Sequence, residues 1–172
     1  LKDRIDNEDC NIYSILGMIS HINDFPKDLE GKKVVVVGGG AVGLDVVEFF
    51  ADRNADISIV EMMDQIGRDL DPVSKNDTKT MMKKHNVHQL TKTALLEVKD
   101  SSFLVRGDGE PYELPLEYGF VCLGMRAQGQ LYQSLTEEFS SEDVEIMNMG
   151  DSQRARRIID GTQEGRNILT IL

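Results

Sequence analysis

The chain has 172 residues, 40% of them hydrophobic and 28% charged, which suits an ordinary soluble domain with one well-buried core and room for a flanking piece. A formal net charge of -11 argues against nucleic acid or an anionic membrane surface as a partner. No apolar run reaches the length of a membrane span, and Leu1 to Asp6 has no signal-peptide character, so the expected location is the cytoplasm and no membrane contact is expected.

Cys10 and Cys122 are the two cysteines, far apart and without a Cys-x-x-Cys pair. That excludes a redox-active dithiol, a four-cysteine zinc site and a cysteine-ligated iron–sulfur cluster within this chain. Reducing conditions fit. Cys122 lies in the apolar run 120–123 and reads as a buried core thiol.

Residues 1–31 differ from the rest of the chain. Residues 11–22 read as a short helix and residues 24–31 as a polar linker, so this piece is expected to come from an adjoining domain. The pattern then changes. Val34, Val35, Val36 and Val37 form a β-branched run that reads as a buried strand. Gly38, Gly39, Gly40, Ala41, Val42 and Gly43 come next, then an apolar helical stretch over residues 44–50 and a second strand over 56–60 that ends on Glu61.

Strand, glycine turn, helix, strand and an acid about 20 residues on make up the dinucleotide-binding βαβ fingerprint. Gly38 turns the chain sharply out of the strand. Gly40 lets main chain approach a pyrophosphate, and Gly43 lets the helix pack closely on the sheet. The helix start offers unpaired N–H groups and the positive end of its dipole. Glu61 can accept hydrogen bonds from both hydroxyls of an adenosine ribose and would repel a 2′-phosphate. No Arg or Lys stands in residues 61–64, so NAD(H) is expected over NADP(H). Met62 can touch an adenine face. The bland alternative is a glycine turn that serves another adenosine ligand or none.

After a loop over residues 62–70, Asp71 and Pro72 make a good helix start, and the helix is expected to run to about Lys84 and stop near His85 and Asn86. Residues 87–90 supply a third strand. Residues 94–99, 103–106 and 112–116 are short stretches between turn-rich segments, the spacing of an antiparallel meander. Residues 120–123 read as a buried strand that rejoins the parallel sheet and ends at Gly124, where ligands of open α/β sheets sit. Further on, residues 131–138 read as a surface turn or helix, 144–149 as a strand ending in Gly150 and Asp151, and 154–164 as an amphipathic helix. The apolar ending over 167–172 suggests a piece of a longer chain. The fold class expected is α/β, a Rossmann-like parallel sheet with helices and an antiparallel meander crossover.

Taken together, the glycine turn followed by Asp45, the acid-ended second strand, the meander, the stretch Leu123-Gly124-Met125-Arg126 and the late Gly150-Asp151 resemble the pyridine-nucleotide-disulfide oxidoreductase superfamily. Residues 60–72 look most like a narrower branch: the C-terminal part of 2-enoate reductase, 2,4-dienoyl-CoA reductase and related NADH:flavin oxidoreductases. The resemblance covers roughly residues 32–172. It implies that NADH lies across the glycine turn and passes hydride to FAD in a neighbouring domain of the same polypeptide. In that branch FMN and an iron–sulfur cluster, held in missing domains, carry electrons onward. It implies NAD contacts at Gly38, Gly40, Gly43, Glu61 and Gly124. Asp45 stands where the superfamily usually has glutamate, near the nicotinamide end, and is shorter by a methylene. Asp151 matches the aspartate that accepts a hydrogen bond from the ribityl chain of FAD; its bland reading is a helix cap. The family's other glycine fingerprint, for FAD, is missing here. The expected domains are therefore an adjoining piece (1–31), an NAD-binding domain (32–130) and a partial FAD-domain segment (131–172), in a chain inactive alone. A homo-oligomer is compatible with the reading.

No catalytic acid, base or nucleophile is assigned, because hydride transfer between nicotinamide and flavin needs positioning and the cofactors carry the chemistry. No metal site is expected: His85 and His88 lie near a helix end without ligand-spaced neighbours, where a cation suits the dipole. Met62, Met63, Met81 and Met82 read chiefly as packing, and Arg154, Arg156 and Arg157 as a solvated helix face. Two other functions compete. An NAD-responsive regulatory module would use the same turn and acid, but has no reason to carry the Gly150-Asp151 tail. A nucleotide-dependent transferase also ends its second strand on an acid, yet the glycine spacing and meander fit it poorly.

Overall fold

The computed structural model describes residues 4–7, 9–141 and 143–168, and the chain divides into two units, Leu1–Gly124 and Met125–Leu172. In the first, the elements in order are β1 (Ile12–Ser14), α1 (Ile15–Ser20), β2 (Lys33–Val37), α2 (Ala41–Ala51), β3 (Asp56–Val60), α3 (Pro72–Lys84), β4 (His88–Leu90), β5 (Ala94–Val98), β6 (Ser102–Arg106), β7 (Tyr112–Pro115) and β8 (Tyr118–Val121). A five-stranded sheet runs in the order β1-β8-β2-β3-β4 with every pairing parallel. Strands β5, β6 and β7 form a separate antiparallel sheet. The α/β class, the parallel sheet and the meander are as the sequence predicts.

The alternation of β2 sorts its valines between two cores. Val34 and Val36 pack with Leu44, Val47 and Phe50 of α2 and with Ile57, Ile59 and Phe120. Val35 and Val37 point to the other face, with Val60 and with Val98, Phe103 and Val105 of the meander. Successive strand side chains alternate faces, so a run apolar at every position is covered on both. Gly119 on β8 makes the meander face fit: a Cβ there would stand 2.6 Å from the Phe103 ring. Helix α3 starts as predicted, with the Asp71 side chain accepting from the N–H groups of Val73 and Ser74 and Pro72 in the first turn. It ends at His85, and Asn86 follows at φ +53, a left-handed stop.

Two expectations fail here. Residues 11–22 are not one helix: Ile12–Ser14 is a strand paired with β8, and only Ile15–Ser20 is helical. Ile12 is fully buried, and the open edge of β8 offers its main chain a ladder that a helix start would leave unmade. Met18, Phe25 and Leu29, from the stretch read as helix and linker, also join the core on the α2 side.

The second unit holds α4 (Gln130–Glu138), a single 3-10 turn at Gly150–Ser152 and α5 (Ile158–Ile168). Residues 144–149, expected as a strand, run without ladder pairing, because among the described residues no strand lies beside them to complete one. Helix α5 begins at Ile158 and not near Arg154, so Arg154, Arg156 and Arg157 precede the helix instead of forming its face. Gly150, at φ +64, donates its N–H to Glu164. Of the expected apolar ending, residues 169–172 lie outside the described residues. No described helix is long and apolar enough to cross a membrane.

Candidate functional site

Because the five sheet strands are parallel, their carboxyl ends share one edge, and the chain leaving β2, β3, β4 and β8 builds that edge. Leaving β2, Gly38 takes φ +110, and a Cβ on it would stand 2.2 Å from the Cys122 carbonyl oxygen. Its N–H donates to the Val60 carbonyl (2.8 Å), and the Cys122 N–H donates to the Val37 carbonyl (2.7 Å), so the turn is laced to the strands on either side. Gly43 sits in the first turn of α2, where a Cβ would lie 1.8 Å from the Gly38 carbonyl oxygen. Helix and strand meet there closer than any side chain permits.

Gly40 differs. It caps α2 in extended conformation that any residue can adopt, and a Cβ on it would meet nothing within 4 Å. Nothing inside the molecule demands a glycine at this position. What a Cβ would occupy is the open space before the helix N-terminus, flanked by Ala41 and Val42, which are exposed. The first intrahelical bond of α2 runs from the Leu44 N–H to the Gly40 carbonyl, so the N–H groups of Ala41, Val42 and Gly43 have no helical acceptor. Free N–H groups and the positive end of the helix dipole make such a start chemically suited to an anion.

Glu61 points at the turn. One carboxylate oxygen accepts from the Gly39 N–H at 2.6 Å, the other from the Met63 N–H at 2.7 Å. Each oxygen keeps lone-pair capacity for a further donor. The Glu61 main chain is tied into the sheet edge, its N–H donating to Leu90 and its carbonyl accepting from Thr93. Lys92 donates its N–H to the Met63 carbonyl (2.9 Å), so the rim beyond Glu61 is shared between residues 61–63 and 91–93. Met62 is 68% exposed on that rim.

The structure thus brings Gly38, Gly39, Gly40, Ala41, Val42, Gly43, Glu61 and Met62 into one place. Gly124 lies past β8 at φ +79, with open space around it. Asp45 lines a groove of about 360 Å³ between α2 and α3, with Glu48, Asp77 and Thr78. Asp151, in the second unit, accepts from the Arg156 N–H at 3.3 Å and so orders the stretch before α5. It does not cap the helix, which begins later. Cys122, buried behind the turn, has its thiol pushed up to about 11 by desolvation and stays neutral. His85 ends α3, and His88 pairs with Asp56 at 3.5 Å. Among the described residues no three metal-ligating side chains gather.

Sequence reasoning missed Thr91 to Thr93, whose place on the rim comes from a parallel pairing, and Gly67, whose N–H donates to the Gly39 carbonyl at 2.7 Å. The one sequence signal for Gly67 is a glycine between an apolar Ile66 and a charged Arg68 in the loop after the second strand.

A parallel sheet with a glycine turn under a helix start and an acid across from it defines a nucleotide-binding domain of the dinucleotide type. The sequence pattern of the pyridine nucleotide-disulphide oxidoreductases matches residues 8–149, and the chain belongs to that family. Among curated relatives it is similar to a metal reductase of Desulforamulus reducens, 26% identical over 167 residues that cover 80% of this chain and 24% of that protein. An NADH oxidase of Thermoanaerobacter brockii is 24% identical over 161 residues, covering 93% of this chain and 24% of the oxidase. The chain therefore spans about a quarter of the length of these relatives. Among solved structures, histamine dehydrogenase from Rhizobium sp. 4-9 shares the fold at a TM-score of 0.71 and 13% identity, covering 95% of this chain and 26% of that one.

Proposed function

We infer that the chain is the NAD(H)-binding part of a longer flavin-dependent oxidoreductase, in which NADH passes hydride to a flavin held elsewhere in the same polypeptide. The observation that carries this reading is the Glu61 carboxylate seated on the glycine turn, 2.6 Å from the Gly39 N–H, beside a helix start whose Gly40 leaves open space. The pyrophosphate would lie against the N–H groups of Gly40, Ala41, Val42 and Gly43, and the adenosine ribose against Glu61, with Met62 at the adenine. Gly124 gives the chain beyond β8 an uncrowded approach to the nicotinamide half. Bound NADH supplies the hydride; this chain's part is to grip two phosphates, check the sugar and hold the dinucleotide still.

Residues 32–130 would be the NAD-binding domain, residues 1–31 a piece reaching in from beside it, and residues 131–172 the start of a flavin-domain segment with Asp151 toward the ribityl chain of FAD. Asp45, on the groove between α2 and α3, would face the nicotinamide end from that side. The loop of residues 60–72 favours the enoate and dienoyl reductase branch, and the relative named as an NADH oxidase agrees with NADH as the donor. FMN and a cluster would then belong outside this chain, whose two cysteines are both buried. Calorimetric titration of the 172-residue chain with NADH tests the reading. Saturable binding without turnover is expected; no heat and no thermal shift at millimolar NADH would refute it.

A further inference from the structure

Gly39 has both of its main-chain polar groups taken by the segment after β3. Its N–H goes to the Glu61 carboxylate at 2.6 Å, and its carbonyl accepts from the Gly67 N–H at 2.7 Å. The second bond has a consequence for the neighbouring residue. The peptide joining Gly39 to Gly40 is planar and trans, so its C=O and N–H point in opposite directions. Holding the Gly39 carbonyl toward Gly67 therefore holds the Gly40 N–H the other way, away from the loop that carries Gly67.

That peptide needs holding. Gly38, Gly39 and Gly40 are consecutive glycines, the stretch with the largest backbone freedom to lose. A rotated Gly39–Gly40 peptide would present a carbonyl, and so a negative partial charge, where phosphate oxygens are to sit.

Gly67 is built for the task. It adopts φ +66, and a Cβ on it would lie 3.1 Å from Leu70 Cδ1 and 3.5 Å from Leu44 Cδ1. Its neighbour Ile66 is buried, and Leu70 packs on the same core, so the loop is anchored on both sides of the donor. We propose that Gly67 is a positioning residue for the pyrophosphate: through the Gly39 carbonyl it fixes the direction of the Gly40 N–H and pre-organises the cradle. This rests on the proposed function and deepens it. The contribution is made before the ligand arrives, which is how a fixed donor adds affinity without a new contact.

The test uses the 172-residue chain and two probes, ADP and adenosine, titrated by NMR. Adenosine reaches the Glu61 side and carries no phosphate. Gly67→Val adds a Cβ and strongly disfavours φ +66, whereas Gly67→Asn adds the same Cβ but tolerates that conformation. Gly67→Val is expected to weaken ADP by roughly tenfold, the scale of one hydrogen bond to a charged group, and to leave adenosine unchanged. Gly67→Asn is expected to stay within about threefold of the parent for both, less than the loss of one such bond. Should Gly67→Val fail to fold, a main-chain ester at position 67, with glycolic acid in place of glycine, removes the N–H and no side-chain space; it should show the same selective loss. Equal losses of ADP and adenosine, or no loss of ADP in the folded variant, would overturn the proposal. If the parent chain binds neither ADP nor NADH, the proposed function itself is wrong, a different outcome from a strap that does not matter.

Discussion

Gly43→Ala puts two opposed effects in direct competition. In an exposed helix interior, alanine stabilises relative to glycine by about 1 kcal/mol. Here the new Cβ would lie 1.8 Å from the Gly38 carbonyl oxygen and 3.0 Å from its carbon, both main-chain atoms that cannot swing aside. Ordinary contact begins near 3.4 Å, so α2 must back away from the turn by about 1.6 Å at this point. Overpacking a core costs about 1–3 kcal/mol and sometimes more, and a clash against backbone belongs at the upper end. The net expectation is a loss of about 2 kcal/mol despite the propensity gain, or roughly 4–8 °C in Tm for a chain of this size. Urea unfolding gives the free energy, and the same samples give ADP affinity, which should fall at least tenfold because the N–H groups of Ala41 and Val42 move with the helix. A variant as stable as the parent, with ADP affinity intact, would refute the close-approach argument.

Other substitutions and conditions probe different parts. Gly39→Ala places a Cβ 3.0 Å from Glu61 Oε2, an atom on a flexible side chain; stability should change little, while calorimetry should show NADH affinity falling several-fold as the carboxylate is displaced. The Glu164 carboxyl is held below its ordinary value of 4.5, first by the Gly150 N–H and then by Arg156. A depressed folded value means its stabilisation is present above pH 4.5 and disappears as pH falls through the folded value. Acid unfolding followed by circular dichroism should therefore be less steep for Glu164→Gln. Cys122 works in the opposite sense: its thiol is raised from 9.0 to about 11, so stability is lost as pH rises through that window. Thiol labelling at pH 8 should leave Cys122 unmodified until the protein unfolds, and prompt native labelling there would contradict its burial.

The parts of the site that are legible in the chain are those written in local sequence. Four valines, glycines at fixed offsets and an acid at the end of the next strand form a pattern that is readable within about thirty residues of chain, and β2, α2, β3 and Glu61 stand where that pattern puts them. Asp71 and Pro72 are equally local, and α3 starts on them. What escaped depends on partners distant in sequence. Ile12–Ser14 is a strand because β8, more than a hundred residues on, has an open edge. Gly67 matters because the loop after β3 folds back to the glycine turn. The error over residues 144–149 has the reverse cause: an apolar run read as a strand needs a neighbour, and the described residues supply none.

In the proposed function, the carboxylate that β3 places and the Gly39 N–H fastens to the glycine turn chooses the adenosine ribose. Dissociation constants for NADH and NADPH, measured by calorimetry on the parent and on Glu61→Gln, test it most directly. The parent should prefer NADH by tenfold or more, about 1.4 kcal/mol, and the substitution should shrink that preference by weakening NADH and relieving the repulsion of the 2′-phosphate. A parent that binds both dinucleotides equally, or a preference that survives the loss of the charge, would rule out Glu61 as the group that selects the ribose.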